Sequence, residues 1–204
     1  MSKSYVALIA DAIASRELPA ATRARLQADA RAAVKDLNRR YRRVLAARFA
    51  VTLGDELQCL LPTPQPVWQL AHDLRACLPT VDWVVACGRG PITTPLAPTA
   101  PEMDGPCFHE ARAAMDRAKR QRQVFAFGAF GTALDPLASY YSALYWSWTP
   151  RQRRAATLLR LGDPATAATR LGVDRSAISH LGRRMAWPLV AAGDKMFRAL
   201  LETG

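Results

Sequence analysis

The chain has no Cys-X-X-Cys pair, few acidic residues and no long apolar run. Its four cysteines, Cys59, Cys77, Cys87 and Cys107, stand 18, 10 and 20 residues apart. That spacing argues against the closely paired thiols of a structural zinc or redox site and for free, mostly buried cysteines. The most apolar windows are broken by charges or prolines, so none reaches the roughly 20 residues a membrane span needs. The run from Tyr5 to Ala10 is too short for a secretory signal, and Asp11 ends it without a cleavage-type sequence. A cytoplasmic protein with no membrane partner is expected. Acidic residues number 17 against 28 Lys and Arg, a net charge of +11. Such a balance attracts polyanions in general, and where the charge sits matters more than its sum.

What is there centres on Phe49 to Leu61, FAVTLGDELQCLL. Apolar residues lead into Gly54, Asp55 and Glu56 and resume at Leu57, the pattern of a strand, a tight turn with two carboxylates, and a returning strand or short helix. Glycine before the acids permits a backbone conformation that a side chain resists, and two acids at a hairpin tip suit a hard cation. Gly-Asp is also an ordinary turn dipeptide. Before this stretch, Tyr5 to Ala10 reads as a central strand ending at Asp11, with a helical turn from Ala12 to Ser15. An amphipathic helix over Thr22 to Arg43 follows, with Leu26, Ala30, Ala33, Leu37 and Tyr41 on one face.

Beyond the central stretch, the spacing predicts a helix from Pro66 to Leu78, a strand from Val81 to Cys87, and a turn at Gly88-Arg89-Gly90 whose glycines bring backbone close to something. His72 on that helix has no ligand-like partner at i+4 and reads as a surface or half-buried residue. Five prolines between Pro91 and Pro106 indicate an irregular loop. Then come a helix with Phe108, Ala111, Ala114 and Met115 inward, a short strand in QVFAFGAF, and an aromatic helix in LDPLASYYSALYWSW. The order β, α, β, β, α, β, α, β fits an α+β, ferredoxin-like sheet with an extra helix and strand. In that arrangement Asp11 and Asp55 face one another.

The segments LIADAIASREL, FAVTLGDELQCLL, GRGPITT and MDGPCFHEARAAM resemble the SatD family of bacterial proteins. The first part of the chain also resembles, more distantly, the palm domain of class III nucleotidyl cyclases and GGDEF enzymes. The palm resemblance implies that Asp11 and Asp55, with Glu56 as a helper, hold Mg²⁺ or Mn²⁺ with a nucleotide, and that Arg112 contacts phosphate. No asparagine stands one turn before Arg112, where Phe108 sits, and the base-selecting lysine and aspartate of the cyclases have no match.

From Thr149 onward the residues read as small helices. Thr149 caps a helix with Pro150 at its first position; Pro164 opens a second helix to Leu171; Gly172 turns the chain; and Asp174 or Ser176 caps a third running through about Arg184. Ala168, Gly172 and Ile178, with Ala167, Leu171, Val173 and Leu181 inside, fit a helix-turn-helix. Arg175, Ser176, Ser179, His180, Arg183 and Arg184 then face outward, types that suit phosphates and major-groove edges. This segment carries ten Lys or Arg against four Asp or Glu, +6 of the chain's +11. A tail helix, Leu189 to Leu201, has Val190, Met196, Phe197 and Leu200 apolar and is expected on the helix-turn-helix or in a dimer contact.

Residues 1–133 are thus expected to form a palm-like domain, 134–148 an aromatic connecting helix, and 149–204 a helix-turn-helix domain. The leading expectation is a DNA-binding transcriptional regulator that could pair as a homodimer, with a nucleotide- or metal-sensing or vestigial N-terminal domain. A Mg-dependent nucleotidyl cyclase or nucleotidyltransferase, and a protein-interaction adaptor, are the alternatives.

Overall fold

A computed structural model of the protein describes residues 3–52 and 55–203. Gly54, the glycine of the acidic turn, lies outside the described residues. The elements run β1 (Tyr5–Ala12), α1 (Ala20–Arg40), β2 (Ala47–Val51), β3 (Glu56–Leu61), α2 (Val67–Cys77), β4 (Trp83–Gly90), α3 (Pro106–Gln121), β5 (Phe125–Gly128), α4 (Leu134–Ser147), α5 (Pro150–Leu161), α6 (Pro164–Leu171), α7 (Arg175–Arg184) and α8 (Trp187–Thr203). One five-stranded sheet has the order β2-β3-β1-β4-β5. The first four strands pair antiparallel, and β5 joins β4 in parallel after crossing over through α3. This is the interleaved βαββαβ order with one further helix and strand, in the chain order the apolar runs predict.

Strand β1 lies between β3 and β4 and is covered on both faces, as its unbroken apolar run requires. Val6, Leu8, Ala10 and Ala12 pack with α1, α2 and α4. Tyr5, Ala7 and Ile9 pack on the other face against Cys107, Phe108, Ala111 and Met115 of α3.

Several details depart from the sequence reading. β1 extends through Asp11 to Ala12, where a turn and a short 3-10 helix at Ser15–Glu17 replace the expected helical turn. The reason is pairing, since β4 runs alongside as far as Ala12↔Trp83. Helix α1 stops at Arg40, and Tyr41 leaves it to donate its hydroxyl to Asp73 on α2 at 2.8 Å.

Gly88-Arg89-Gly90 is not a turn but the end of β4. Its glycines do bring backbone close to something: an added Cβ at Gly88 would lie 2.1 Å from the Ala111 nitrogen of α3. His72 is 2% exposed rather than superficial. It sits among the rings of Trp68, Phe125 and Tyr141.

The C-terminal helices share the core of the sheet. Ala155 and Ala156 of α5, Met185, and Val190, Phe197 and Leu201 of α8 belong to the same apolar cluster as β1 and α2. Phe197 stacks on Trp68 of α2, so α8 docks on the sheet-side core; Met196, counted with its apolar residues, is 56% exposed. Arg160 of α5 reaches Asp194 of α8 through Nε at 2.8 Å and Nη2 at 3.0 Å. A smaller cluster of Ala167, Ala168 and Ile178 joins α6 to α7. Gly172, at φ 62°, turns the chain between these helices.

Candidate functional site

The residues expected at a site fall into two groups. The first lies where β1 ends beside the start of β3. Antiparallel register pairs Asp11 with Glu56, not with Asp55 as expected, because β1 runs on and β3 begins at Glu56. Asp55 still stands near enough for its charge to act on Asp11.

Helix α3 crosses this end of the sheet. Residues seven apart on a helix share a face, and Arg112 and Lys119 both meet the acids. Arg112 grips Glu56 with two bonds, Nη1 to Oε2 at 2.5 Å and Nη2 to Oε1 at 2.8 Å. Glu56 Oε1 also accepts from Gln58 at 2.6 Å and from the Thr52 hydroxyl at 2.9 Å. Lys119 Nζ pairs with Asp11 Oδ2 at 2.8 Å.

Electrostatics separates the two acids. Burial alone would raise the Glu56 carboxyl, but the bonds from Arg112, Gln58 and Thr52 outweigh it and hold it below the ordinary value. For Asp11 burial wins, and its pKa is raised despite the Lys119 bond, with Asp55 and Glu56 adding to the rise.

This donor set does not fit a resident divalent ion. Both Glu56 oxygens are taken by Arg112, and one Asp11 oxygen is taken by Lys119. Among the described residues, no group of three or more His, Cys, Asp or Glu is placed to hold a metal. Asp55 keeps one buried oxygen, Oδ2, without a hydrogen-bond partner. Arg112, expected on phosphate, is engaged by Glu56 instead. Lys119 was missed by the sequence reading, and its spacing from Arg112 is the signal that could have found it.

The second group lies on α7. Arg175, Ser176, Ser179, His180, Arg183 and Arg184 are all exposed, while Ile178 on the opposite side is buried. Arg183 Nη2 stands 2.9 Å from His180 Nδ1, and the Ser179 hydroxyl donates back to the Arg175 carbonyl at 3.2 Å. The preceding helices are held by their caps. Thr149 and Gln152 form a reciprocal capping box on α5, and Asp163 accepts from the Ala165 and Thr166 amides at the start of α6. Not all the C-terminal charge is available to a partner, because Arg160 is buried against Asp194 and Arg153 pairs with Asp82 at 3.4 Å.

A model of the SatD family matches residues 5–131. No curated protein matches the chain. Among solved structures, a bacterial light-regulated adenylyl cyclase is similar at 12% identity, over 61% of this chain and 74% of that one, with a TM-score of 0.46. The GGDEF domain of YfiN from Pseudomonas aeruginosa is similar at 19% identity, over 62% of this chain and 83% of that one, with a TM-score of 0.39. At these scores the strand order and pairing, rather than the likeness, describe the fold. No helix among the described residues is long and apolar enough to cross a membrane.

Proposed function

The chain belongs to the SatD family, and from that starting point we propose that it is a DNA-binding regulator whose α6-turn-α7 unit is a helix-turn-helix. The observation that supports this reading is the face of α7. Three arginines, two serines and a histidine are exposed together on a ten-residue helix whose opposite side is anchored by Ile178. Guanidinium groups and short hydroxyls can reach phosphates and base edges, and their exposure leaves them free of the core. Gly172 in the left-handed region and the small Ala167 and Ala168 let α6 and α7 approach closely. In this reading the sheet, its acids closed by Arg112 and Lys119, serves as the body on which the reading helices are mounted. A homodimer would present two copies of α7 to paired half-sites.

The test is binding of the purified protein to duplex DNA as salt is varied. Affinity that falls steeply with salt, and weakens when arginines of α7 are replaced, supports the reading; no affinity at low salt refutes it.

The orphaned Asp55 Oδ2 favours a second reading, a nucleotidyl cyclase or nucleotidyltransferase site that must rearrange to work. Product formed from a nucleoside triphosphate with Mg²⁺, and lost in Asp55→Ala, would establish it. Incubation without product, under conditions where the protein is folded, would leave the DNA-binding reading alone.

A further inference from the structure

A cavity of about 210 Å³ opens where α2, the loop into β4, α4 and α5 meet. Arg75, Arg153 and Arg154 line it, with Thr80 and a single carboxylate, Asp82. Arg75 is 5% exposed. Its Nη2 donates to the carbonyls of Trp83 at 2.9 Å and Val124 at 2.7 Å, and its guanidinium lies 4.1 Å from the centre of the Phe125 ring. Nε and Nη1 of the same group are buried with no hydrogen-bond partner.

Asp82 does not answer them. Its Oδ1 accepts from the Tyr145 hydroxyl at 2.5 Å, and its Oδ2 faces Arg153 at 3.4 Å. A buried donor left without a partner keeps its desolvation cost, and a buried cation with only a distant carboxylate keeps a larger one. An anion in the cavity that Arg75 lines would supply a counter-charge to its guanidinium.

We propose that this cavity binds the phosphate group of a small molecule, with Arg75 at its base and Arg153 and Arg154 at its rim. Three guanidinium groups against one carboxylate leave two positive charges, which match the dianion of a phosphate monoester. Guanidinium presents the forked donors that suit phosphate oxygens. The cavity also lies at the N-terminal end of α5, where the helix dipole favours negative charge. Val81, Leu158 and Pro150 give the wall an apolar part. The site is separate from the acids at Asp11 and Glu56 and from the face of α7, and it stands whether or not the protein binds DNA.

The test uses the full chain and inorganic phosphate as the probe, followed by thermal melting and calorimetry, with chloride at matched ionic strength as the reference. Saturable stabilisation by phosphate beyond that of chloride is expected. Arg154 is exposed at the rim, so Arg154→Ala should fold normally and bind phosphate about tenfold more weakly, the loss of one charged hydrogen bond. Arg151→Ala removes the same charge from the same helix outside the cavity wall and should leave phosphate binding unchanged. An effect no larger than that of chloride, or equal weakening by both variants, would overturn the proposal.

Discussion

The ring of Phe197 lies on that of Trp68, with centroids 3.8 Å apart and planes 11° from parallel. One residue comes from the last helix and the other from α2 on the sheet, so the end of the chain completes the core of its beginning. Phe197→Ala should therefore cost about 3–5 kcal/mol, the usual loss for a large core aromatic. Chemical denaturation followed by far-UV circular dichroism checks this, and the sheet and helices should unfold together in one transition.

This stacking explains part of what the sequence hid. The apolar stripe of α8 was legible, but not what it covers; docking on the helix-turn-helix or on a second copy fitted the pattern equally well. The chain order of strands and helices was legible from the spacing of the apolar runs. Gly88-Arg89-Gly90 misled, since Gly-X-Gly marks turns more often than a strand against which a helix lies close. The acids and Arg112 were seen, but not that Arg112 grips Glu56 or that Lys119, on the same helix face, meets Asp11. Whether Arg112 and Lys119 face the sheet end depends on how α3 crosses it, which no local pattern specifies. The Arg75 cavity draws on four separate elements and leaves no motif.

The pair between Arg112 and Glu56 predicts an acid-dependent cost. Glu56 titrates below its ordinary value of 4.5, so its stabilising contribution is complete above that value and is lost as pH falls through the lower, folded one. Arg112→Ala should cost about 1–3 kcal/mol at neutral pH, toward the lower end because Arg112 is half in solvent. The cost should vanish in acid, where Glu56 is protonated. Asp11 has the opposite sign: its raised pKa favours the folded state in acid, and that contribution is lost as pH rises through the folded value. Asp11→Asn should thus leave neutral-pH stability within about 1 kcal/mol of the parent. Urea titrations at a series of pH values test both substitutions.

If α7 reads DNA as proposed, replacing Arg175 and Arg183 together by alanine should weaken that binding and reduce the slope of log affinity against log salt by roughly one unit for each phosphate no longer neutralised. Both residues are exposed, so the melting temperature should not change. Fluorescence anisotropy with a labelled duplex at several salt concentrations measures both effects. An unchanged slope would remove α7 from the interface.

His72 predicts a second pH effect. Burial, followed by the charges of Arg160, Arg75 and Arg198, holds its pKa well below the ordinary 6.5, so it is neutral in the folded protein. Neither ring nitrogen has a hydrogen-bond partner. The unfolded chain takes up a proton below about 6.5 that the folded one refuses, so stability falls with pH below that value by about 1.4 kcal/mol per unit. His72→Leu should be at least as stable at neutral pH and lose this slope, as denaturation at neutral and at mildly acid pH would show.

Two glycines should respond to alanine in opposite directions. At Gly88 an added Cβ would fall 2.1 Å from the Ala111 nitrogen and 2.2 Å from the Cys107 carbonyl oxygen. Both atoms belong to the backbone of α3 and cannot swing aside, so the helix itself must move off β4. Gly88→Ala should cost more than about 3 kcal/mol, beyond the range of an ordinary overpacked side chain. It should also pull Arg112 and Lys119 away from Glu56 and Asp11, because one rigid helix carries both. Gly193 lies within α8 with nothing within 4 Å of an added Cβ and no positive φ. There alanine only restricts the unfolded chain and improves helix propensity, so Gly193→Ala should stabilise by about 0.5–1 kcal/mol. Paired denaturation curves decide the matter. A mild loss at Gly88 would mean that α3 can slide along the sheet, and the pairing of Arg112 with Glu56 would then be no fixed feature of the fold.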